Sequence, residues 1–184
     1  MSLKVRSLNN ATTLLSGESD SIIVDPWILG RLYCGSWSPT EIPKDLTFLQ
    51  GITHVLISHL HEDHWDADTL DLIPKSAKVF VPDKPFNDVV ENRITEFGFQ
   101  CETVPIGDWI RLSKEFDFKV IPSLNDHAQS DEMYIEGYET SVTSIDTGFL
   151  LCHKPSDTNH LLLCDNSPYD TAKLNNLLDD VALT

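Results

Sequence analysis

Short apolar and β-branched runs, separated by polar turns, predict that the chain opens with three strands. The runs are KVRSL (4–8), ATTLLS (11–16) and SIIVD (21–25). A fourth run, THVLIS (53–58), is almost continuously apolar and predicts a buried strand. Residues 26–47, between the third and fourth runs, contain prolines, glycines and two tryptophans, and they predict a long surface loop. Loops of this length inside a compact domain are commonly functional.

Helical and strand patterns alternate after residue 58. Residues 66–73 predict a short helix that begins with acidic residues. Residues 85–99 predict a longer helix, with Pro at its start and Gly98 at its end. Residues 169–182 predict a third helix with leucines on one side. Strands are predicted at the remaining apolar runs, 78–82, 101–105, 108–113, 116–123, 140–153 and 160–165. We therefore predict one layered α/β domain over residues 1–184, without internal repeats or linkers.

The charge of the chain argues against several classes of function. Thirteen Lys and Arg residues oppose 29 Asp and Glu residues, which gives a formal net charge of −16. This field repels phosphate backbones and anionic membranes, so a nuclease is disfavoured and no nucleic-acid partner is expected. The polar N-terminus lacks the layout of a signal peptide, and no segment has the apolar length of a membrane span. We expect a cytoplasmic protein with a small-molecule substrate and no integral membrane association. The sequence is compatible with either a monomer or a homo-oligomer.

The segment HLHEDH carries the strongest chemical signal in the chain. It places His59, His61, Asp63 and His64 directly after a predicted buried strand, and α/β proteins commonly build their sites at strand ends. Alternation points the first two histidines the same way, and the tighter turn after them brings the next two ligand groups to the same cavity. Imidazoles and a carboxylate suit Zn²⁺, and the same groups also bind Mn²⁺ or Fe²⁺. Three of the seven histidines lie within these six positions, which favours a metal site over a polar loop.

This segment resembles the His-x-His-x-Asp-His motif of the metallo-β-lactamase-fold hydrolases, and most of the chain resembles that family in the same order. SIIVDPW resembles the family's first motif, and Asp25 aligns with the carboxylate residue of that motif. PSLNDHAQ aligns His127, and HLLLCDNSPYD aligns Asp165, with further ligands. The Asp-Pro-Trp start is most similar to the branch of ascorbate-6-phosphate lactonases and N-acylphosphatidylethanolamine phospholipases. The resemblance implies an αββα sandwich.

The resemblance also implies a role for each aligned residue. One metal ion would be held by His59, His61 and His127, a second by Asp63 and His64, and Asp165 would bridge them. Asp63 and Asp165 would act in catalysis by orienting a metal-bound hydroxide, and Asp25 would support the ligands. The aromatic residues near the predicted mouth are candidates for stacking on a sugar or an apolar chain, with packing inside the loop as the alternative for each: Trp27, Tyr33, Trp37 and Trp65.

One ligand of the family pattern is missing from this sequence. Family members supply a further histidine to the second ion from a loop after the bridging Asp, and none of the residues after Asp165 is histidine. We therefore expect that the C-terminal strands and helix of the sandwich are lacking, through truncation or in a shortened natural variant. His153 and His160 are candidate replacements, with ordinary strand-end roles as the alternative. If the chain is complete, the second ion is expected to bind weakly or not at all.

These features favour a metal-dependent hydrolase. Water bound to one or two zinc ions can be deprotonated near neutral pH and attack an ester, a lactone or a phosphodiester of a small or lipid-like substrate. An iron-dependent oxidoreductase on the same fold is the first alternative, since the ligand types do not select the metal. The second alternative is a degenerate binding domain without catalytic activity, which the missing histidine motivates.

Overall fold

Two β-sheets form the centre of the protein. The structure is a computed structural model that describes residues 3–83, 87–122, 147–162, 164 and 175–176. In these residues the first sheet has the strand order β1-β2-β3-β4-β5-β6 and the second has the order β10-β9-β8-β7. The strands of the first sheet are β1 (Lys4–Asn9), β2 (Thr12–Ser16), β3 (Ser21–Val24), β4 (His54–Leu56), β5 (Lys78–Pro82) and β6 (Gln100–Val104). Those of the second are β7 (Trp109–Arg111), β8 (Phe116–Pro122), β9 (Thr147–His153) and β10 (Thr158–Leu162).

The first sheet changes from antiparallel to parallel pairing at β3. Strands β1, β2 and β3 form an antiparallel meander, whereas β3, β4, β5 and β6 pair in parallel. This confirms the strands predicted from the apolar runs and the β4-helix-β5 unit. Because neighbouring parallel strands end at the same edge of a sheet, the residues that follow β3 and β4 meet there.

Two α-helices and three 3₁₀ helices connect the described strands. Helix α1 (Ala67–Asp71) and helix α2 (Asn87–Glu96) confirm the predictions for residues 66–73 and 85–99. Gly98 ends the second helical segment with a φ of +88°, a conformation that glycine adopts without steric cost. The 3₁₀ helices are Tyr33–Gly35, Thr47–Gly51 and Glu62–His64. The first interrupts the predicted long loop, and the second begins at the last residue of that loop.

Alternating side chains of the first sheet enter two separate apolar cores. On β3, Ile23 points to the core under α1 and α2, whereas Ile22 and Val24 point to the core between the sheets. The intersheet core is completed from the second sheet by Phe116, Phe118, Val120, Phe149 and Leu151. Burying a side chain of this size contributes roughly 1.5–3 kcal/mol. The described residues thus form helix, sheet and sheet layers, as in the predicted sandwich.

Some predictions fall outside the described residues. They are most of the helix predicted at 169–182 and the part of the predicted strand at 140–146. The proposed absence of C-terminal strands and a helix also concerns that part of the chain. Among the described helices, none is both long enough and apolar enough to span a bilayer.

Candidate metal centre

The predicted ligands lie where β3 and β4 end side by side. Asp25 directly follows β3, and Ser58 and His59 come shortly after β4. The 3₁₀ helix Glu62–His64 then turns the chain back, so that the ring of His64 lies 4.0 Å from the ring of His59 between centroids. Asp25, Ser58, His59 and His64 are all at most 1% exposed. A strongly polar network is therefore buried at this edge of the sheet.

The Asp25 carboxylate is the centre of that network. Its Oδ1 accepts a hydrogen bond from the backbone N–H of Ser58 at 2.7 Å, and its Oδ2 accepts one from the Ser58 hydroxyl at 2.9 Å. The same Oδ2 lies 2.9 Å from Nδ1 of His64. Burial alone would raise the pKa of Asp25, but the charge of His64 and hydrogen bonds from His64, Cys164 and Ser58 outweigh it and lower that pKa. Asp25 is therefore held as a carboxylate.

The three motif histidines are oriented by their neighbours. The hydroxyl of Ser58 lies 2.9 Å from Nδ1 of His59 and 3.2 Å from Nδ1 of His64. Nε2 of His59 faces Nδ1 of His61 at 2.9 Å. Since Asp25 and Ser58 hold Nδ1 of His64, its Nε2 points toward Asp63, whose Oδ2 lies 3.8 Å away. The structure therefore brings together the four predicted ligands of the motif.

The donor types and orientations of these residues fit a metal centre. Metal-binding histidines usually have their second ring nitrogen held by a carboxylate, a carbonyl or another polar group, as Asp25 and Ser58 hold Nδ1 of His64 here. The predicted ligands of the motif form two contacting pairs, His59 with His61 and Asp63 with His64. No three His, Cys, Asp or Glu side chains in the described part of the chain are placed to hold one ion.

His127 and Asp165, the two remaining predicted ligands, lie outside the described residues. The described neighbour of Asp165 is nevertheless informative. Cys164 has a left-handed φ of +51°, and its thiol is hydrogen-bonded to the carboxylate of Asp25. The chain therefore passes beside the Asp25–His64 pair immediately before it reaches Asp165.

His153 and His160 do not suit the role of replacement ligands. Thr147, at the start of β9, donates a hydrogen bond to the carbonyl of Ser58 at 2.6 Å, which places that end of the strand at the site. His153 lies six residues further along the strand, about 20 Å at the rise of an extended chain. His160 pairs with Leu151, and its Nε2 lies 3.3 Å from the hydroxyl of Thr158. Both histidines therefore lie along the second sheet away from the end of β9 that contacts Ser58. For this reason the replacement hypothesis is wrong.

The beginning of the long loop is tied to the helix that follows the motif. The carboxylate of Asp66 caps α1 by accepting hydrogen bonds from Thr69 and also accepts one from the backbone N–H of Gly30 at 3.0 Å. A Cβ on Gly30 would lie 2.0 Å from Oδ1 of Asp66, so only glycine allows this approach. The hydroxyl of Thr69 in turn accepts hydrogen bonds from the backbone N–H groups of Ile28 and Leu29.

The tip of the loop reaches the motif from the solvent side. Tyr33, Cys34 and Gly35 have left-handed φ values of +49°, +57° and +85°. This conformation costs a residue other than glycine about 1–2 kcal/mol. The hydroxyl of Tyr33 donates a hydrogen bond to Oδ1 of Asp63 at 2.8 Å, and the ring of Trp37 packs edge-on against the Tyr33 ring. The loop therefore contacts a predicted ligand directly.

The three tryptophans predicted at the mouth have different environments. Trp37 is 53% exposed and lies beside Tyr33, as a substrate-contacting ring would. Trp27 is only 2% exposed, and its Nε1 donates to the carbonyl of Gly30. The prediction that Trp27 lines the mouth is wrong, because the turn after Asp25 directs its ring into the protein. Trp65 is half-buried, packs against the helical core and donates to the carbonyl of Leu60.

Sequence reasoning missed three hydroxyl residues that organise the site. Ser58 joins Asp25 to two imidazoles, and Thr147 ties the second sheet to Ser58. Thr12 donates to the carbonyl of Asp25 at 2.6 Å and accepts from the backbone N–H of Trp27 at 3.0 Å, which holds the turn. Ser58 carried a signal, since it is the polar residue between an apolar strand and the first ligand. Thr12 and Thr147 carried none.

Comparison with known proteins assigns this architecture to a family. A sequence profile described as the beta-lactamase superfamily domain matches residues 4–161. The chain belongs to this superfamily.

Among similar proteins, a Mycobacterium tuberculosis protein named "Putative Rieske 2Fe-2S iron-sulfur protein" is 34% identical over 100 residues, which are 53% of this chain and 19% of that protein. The chain thus spans about a fifth of the length of that relative.

Two solved structures share the fold over almost the whole chain. A "possible metal-dependent hydrolase" from Veillonella parvula superposes with a TM-score of 0.65 at 21% identity, covering 97% of this chain and 67% of that one. CmlA, a diiron β-hydroxylase from Streptomyces venezuelae, superposes with a TM-score of 0.68 at 18% identity, covering 98% of this chain and 33% of that one. At these identities the likeness establishes the fold, which confirms the predicted metallo-β-lactamase-like architecture.

Proposed function

We propose that this protein is a metal-dependent hydrolase that cleaves an ester, a lactone or a phosphodiester in a small or lipid-like substrate. The observation that carries the proposal is the pairing of buried imidazoles with Asp25 and Ser58 at the end of β4, beside Asp63. A metal-dependent hydrolase is also among the solved structures that share the fold. We further propose that the enzyme is cytoplasmic.

The ligands would divide between two ions. His59 and His61, whose Nε2 and Nδ1 face each other, would hold one ion together with His127. Asp63 and Nε2 of His64 would hold the second, and Asp165 would bridge the two. Zn²⁺ is the proposed metal, and a bound ion would lower the pKa of its water and so supply a hydroxide nucleophile near neutral pH.

The protein's own groups would prepare that chemistry. Asp25 and Ser58 keep Nδ1 of His64 engaged, so that Nε2 faces Asp63. Asp63 and Asp165 would orient the nucleophile by accepting its proton in a hydrogen bond. The exposed ring of Trp37 offers a surface for an apolar chain or a sugar ring, which agrees with the proposed lactonase or phospholipase branch.

The first test is metal binding and hydrolysis measured on the same protein. Metal-free protein is loaded with Zn²⁺, the bound metal is counted, and lactone, ester and phosphodiester substrates are assayed. His61→Ala should lose the first ion and all hydrolysis. His160→Ala, which replaces a half-buried histidine in the second sheet, is the matched control and should retain both. Stoichiometric binding of all ions by His61→Ala would refute the ligand assignment.

A second candidate function is an iron-dependent oxidation. It is favoured by two similar proteins, one named as a diiron β-hydroxylase and the other as an iron–sulfur protein. Imidazole and carboxylate ligands also suit iron. Protein loaded with Fe²⁺ without oxygen and then exposed to O₂ would consume it in the presence of substrate if this function is correct. Loss of hydrolysis and of oxygen uptake with every metal would instead favour a binding domain without catalysis.

A further inference from the structure

We propose that Tyr33 is a positioning residue that selects which oxygen of Asp63 is presented to the metal. This inference deepens the proposed function and rests on it. The hydroxyl of Tyr33 donates to Oδ1 of Asp63 at 2.8 Å, whereas Oδ2 is the oxygen that lies 3.8 Å from Nε2 of His64. One carboxylate oxygen is thus engaged by the loop, and the other is directed to the neighbouring ligand.

The position of the Tyr33 hydroxyl is set by the backbone of the loop. Leu32 is 8% exposed and anchors the loop in the protein. Leu32 and Trp37 exchange backbone hydrogen bonds of 3.0 and 3.3 Å, which close the turn between them. Within this closed turn Tyr33 and Cys34 adopt left-handed conformations. Because a side chain disfavours this conformation, the surrounding contacts must hold it in place.

The second anchor of the loop strengthens this interpretation. Gly30 is bound to Asp66, three residues after Asp63, while Tyr33 is bound to Asp63 itself. The loop segment 30–33 and the motif segment 63–66 are therefore joined at both ends. A movement of the loop tip would be transmitted to the Asp63 carboxylate through the Tyr33–Asp63 hydrogen bond.

A hydrogen bond to the second oxygen of a metal-binding carboxylate restricts its rotation and favours binding through one oxygen. Loss of such a partner typically weakens metal affinity about 10–100-fold. Tyr33 is 41% exposed, so water can replace part of its contribution. We therefore expect the lower end of that range for removal of the hydroxyl.

The experiment is a Zn²⁺ titration of metal-free protein in competition with a chromophoric chelator. Tyr33→Phe keeps the ring against Trp37 and removes only the hydroxyl. It should weaken the ion held by Asp63 and His64 about 10-fold and leave the affinity for the other ion unchanged. Trp109→Phe, at an exposed aromatic residue of the second sheet, is the control and should bind both ions as the wild type does.

A double-mutant cycle with Asp63→Asn separates positioning from a general effect on the loop. If Tyr33 acts through Asp63, Tyr33→Phe should have no further effect on metal affinity in the Asp63→Asn background. Equal effects in both backgrounds, or wild-type affinities in Tyr33→Phe, would overturn the inference alone. Wild-type protein that binds one ion, unaffected by Asp63→Asn, would also overturn it. Wild-type protein that binds no metal would instead refute the proposed function.

Discussion

Two acidic residues with little exposure, Asp25 and Glu115, occupy opposite regions of the protein and have different kinds of partners. Asp25 is fully buried and binds Ser58 and the imidazole of His64. Glu115 is 8% exposed and accepts hydrogen bonds from the backbone of Glu18 and Ser19 and from the Ser19 hydroxyl, all at 2.8–2.9 Å. In both cases burial raises the pKa of the acid and the partners bring it below its ordinary value.

The two acids differ in whether their partners have a second group that faces the predicted metal ligands. The donors to Glu115 belong to the turn between β2 and β3. These hydrogen bonds hold the turn and do not orient a second functional group. The imidazole bound to Asp25 has a second nitrogen that faces Asp63. Burial and a lowered pKa alone therefore do not distinguish a functional acid from a structural one. The chemistry of the partner does, and substitutions in the two regions should separate the two roles.

Asp25→Ala should have the largest effect on stability. It leaves the buried backbone N–H of Ser58 and Nδ1 of His64 without their carboxylate. Leaving one buried hydrogen-bond donor unsatisfied typically lowers the free energy of unfolding by about 1–3 kcal/mol, and this substitution leaves both of these donors unsatisfied. Chemical denaturation at neutral pH measures the loss. Asp25→Asn keeps an acceptor for Ser58 and should retain part of the stability, and equal losses in the two variants would contradict the role given to hydrogen bonding.

Glycines at close contacts provide a second comparison between the regions. A Cβ on Gly30 would lie 2.0 Å from Oδ1 of Asp66, and a Cβ on Gly17 would lie 2.0 Å from Oε2 of Glu115. The carboxylate of Asp66 is held by two hydrogen bonds from Thr69. The side chain of Glu115 is longer and has more rotamers, so it can move away from an added Cβ more easily. Gly30→Ala should lower the free energy of unfolding by about 1–3 kcal/mol, and Gly17→Ala by less. A larger loss in Gly17→Ala would show that the turn is the less adaptable region.

Glu115→Ala should have a smaller effect than Asp25→Ala and should not affect metal binding. The turn residues that it binds, Glu18 and Ser19, are exposed, so water can solvate their N–H groups when the carboxylate is removed. We expect a loss of about 1–2 kcal/mol in the free energy of unfolding. Zn²⁺ stoichiometry and affinity should equal those of the wild type. A loss of metal affinity in this variant would contradict the separation of the two regions.

The described fold could largely be predicted from the sequence, because its strands are short and apolar and the segments between them are rich in turn residues. The alternation of Ile22, Ile23 and Val24 between two cores is the period of a strand covered on both faces. The helix at 87–96 also followed from its apolar spacing and Gly98. The ends of elements were predicted less well, and β4 is shorter than the apolar run that predicted it.

The site was predictable only for the residues that form a local motif. Four predicted ligands lie within six consecutive positions, namely His59, His61, Asp63 and His64. Their spacing in the sequence was therefore enough to predict that their side chains lie close together. The contacts of Thr147 with Ser58 and of Tyr33 with Asp63 join residues 89 and 30 positions apart. Such contacts depend on how the sheets stack and how a loop with left-handed residues folds back. The burial of Trp27 depends on the same turn geometry, which no local pattern encodes.

The pH dependence of stability gives the finest test of the comparison, and Glu115→Gln isolates the structural region. The pKa of Glu115 lies below its ordinary value of 4.5 in the folded protein, so below pH 4.5 the unfolded chain binds more protons. The stability that Glu115 contributes is therefore present above that pH and is lost as the pH falls toward the folded-state pKa.

Burial also lowers the pKa of His153, which the charge of Glu115 only partly opposes, and this costs further stability below about pH 6.5. Glu115→Gln should be slightly less stable than the wild type at pH 7, and the gap should narrow between pH 4.5 and 3, as measured by urea denaturation. Its loss of stability between pH 7 and 5 should be somewhat larger than that of the wild type, because the charge of Glu115 no longer opposes the lowering of the His153 pKa. A gap that stays constant down to pH 3 would mean that the charge of Glu115 contributes nothing to holding the turn.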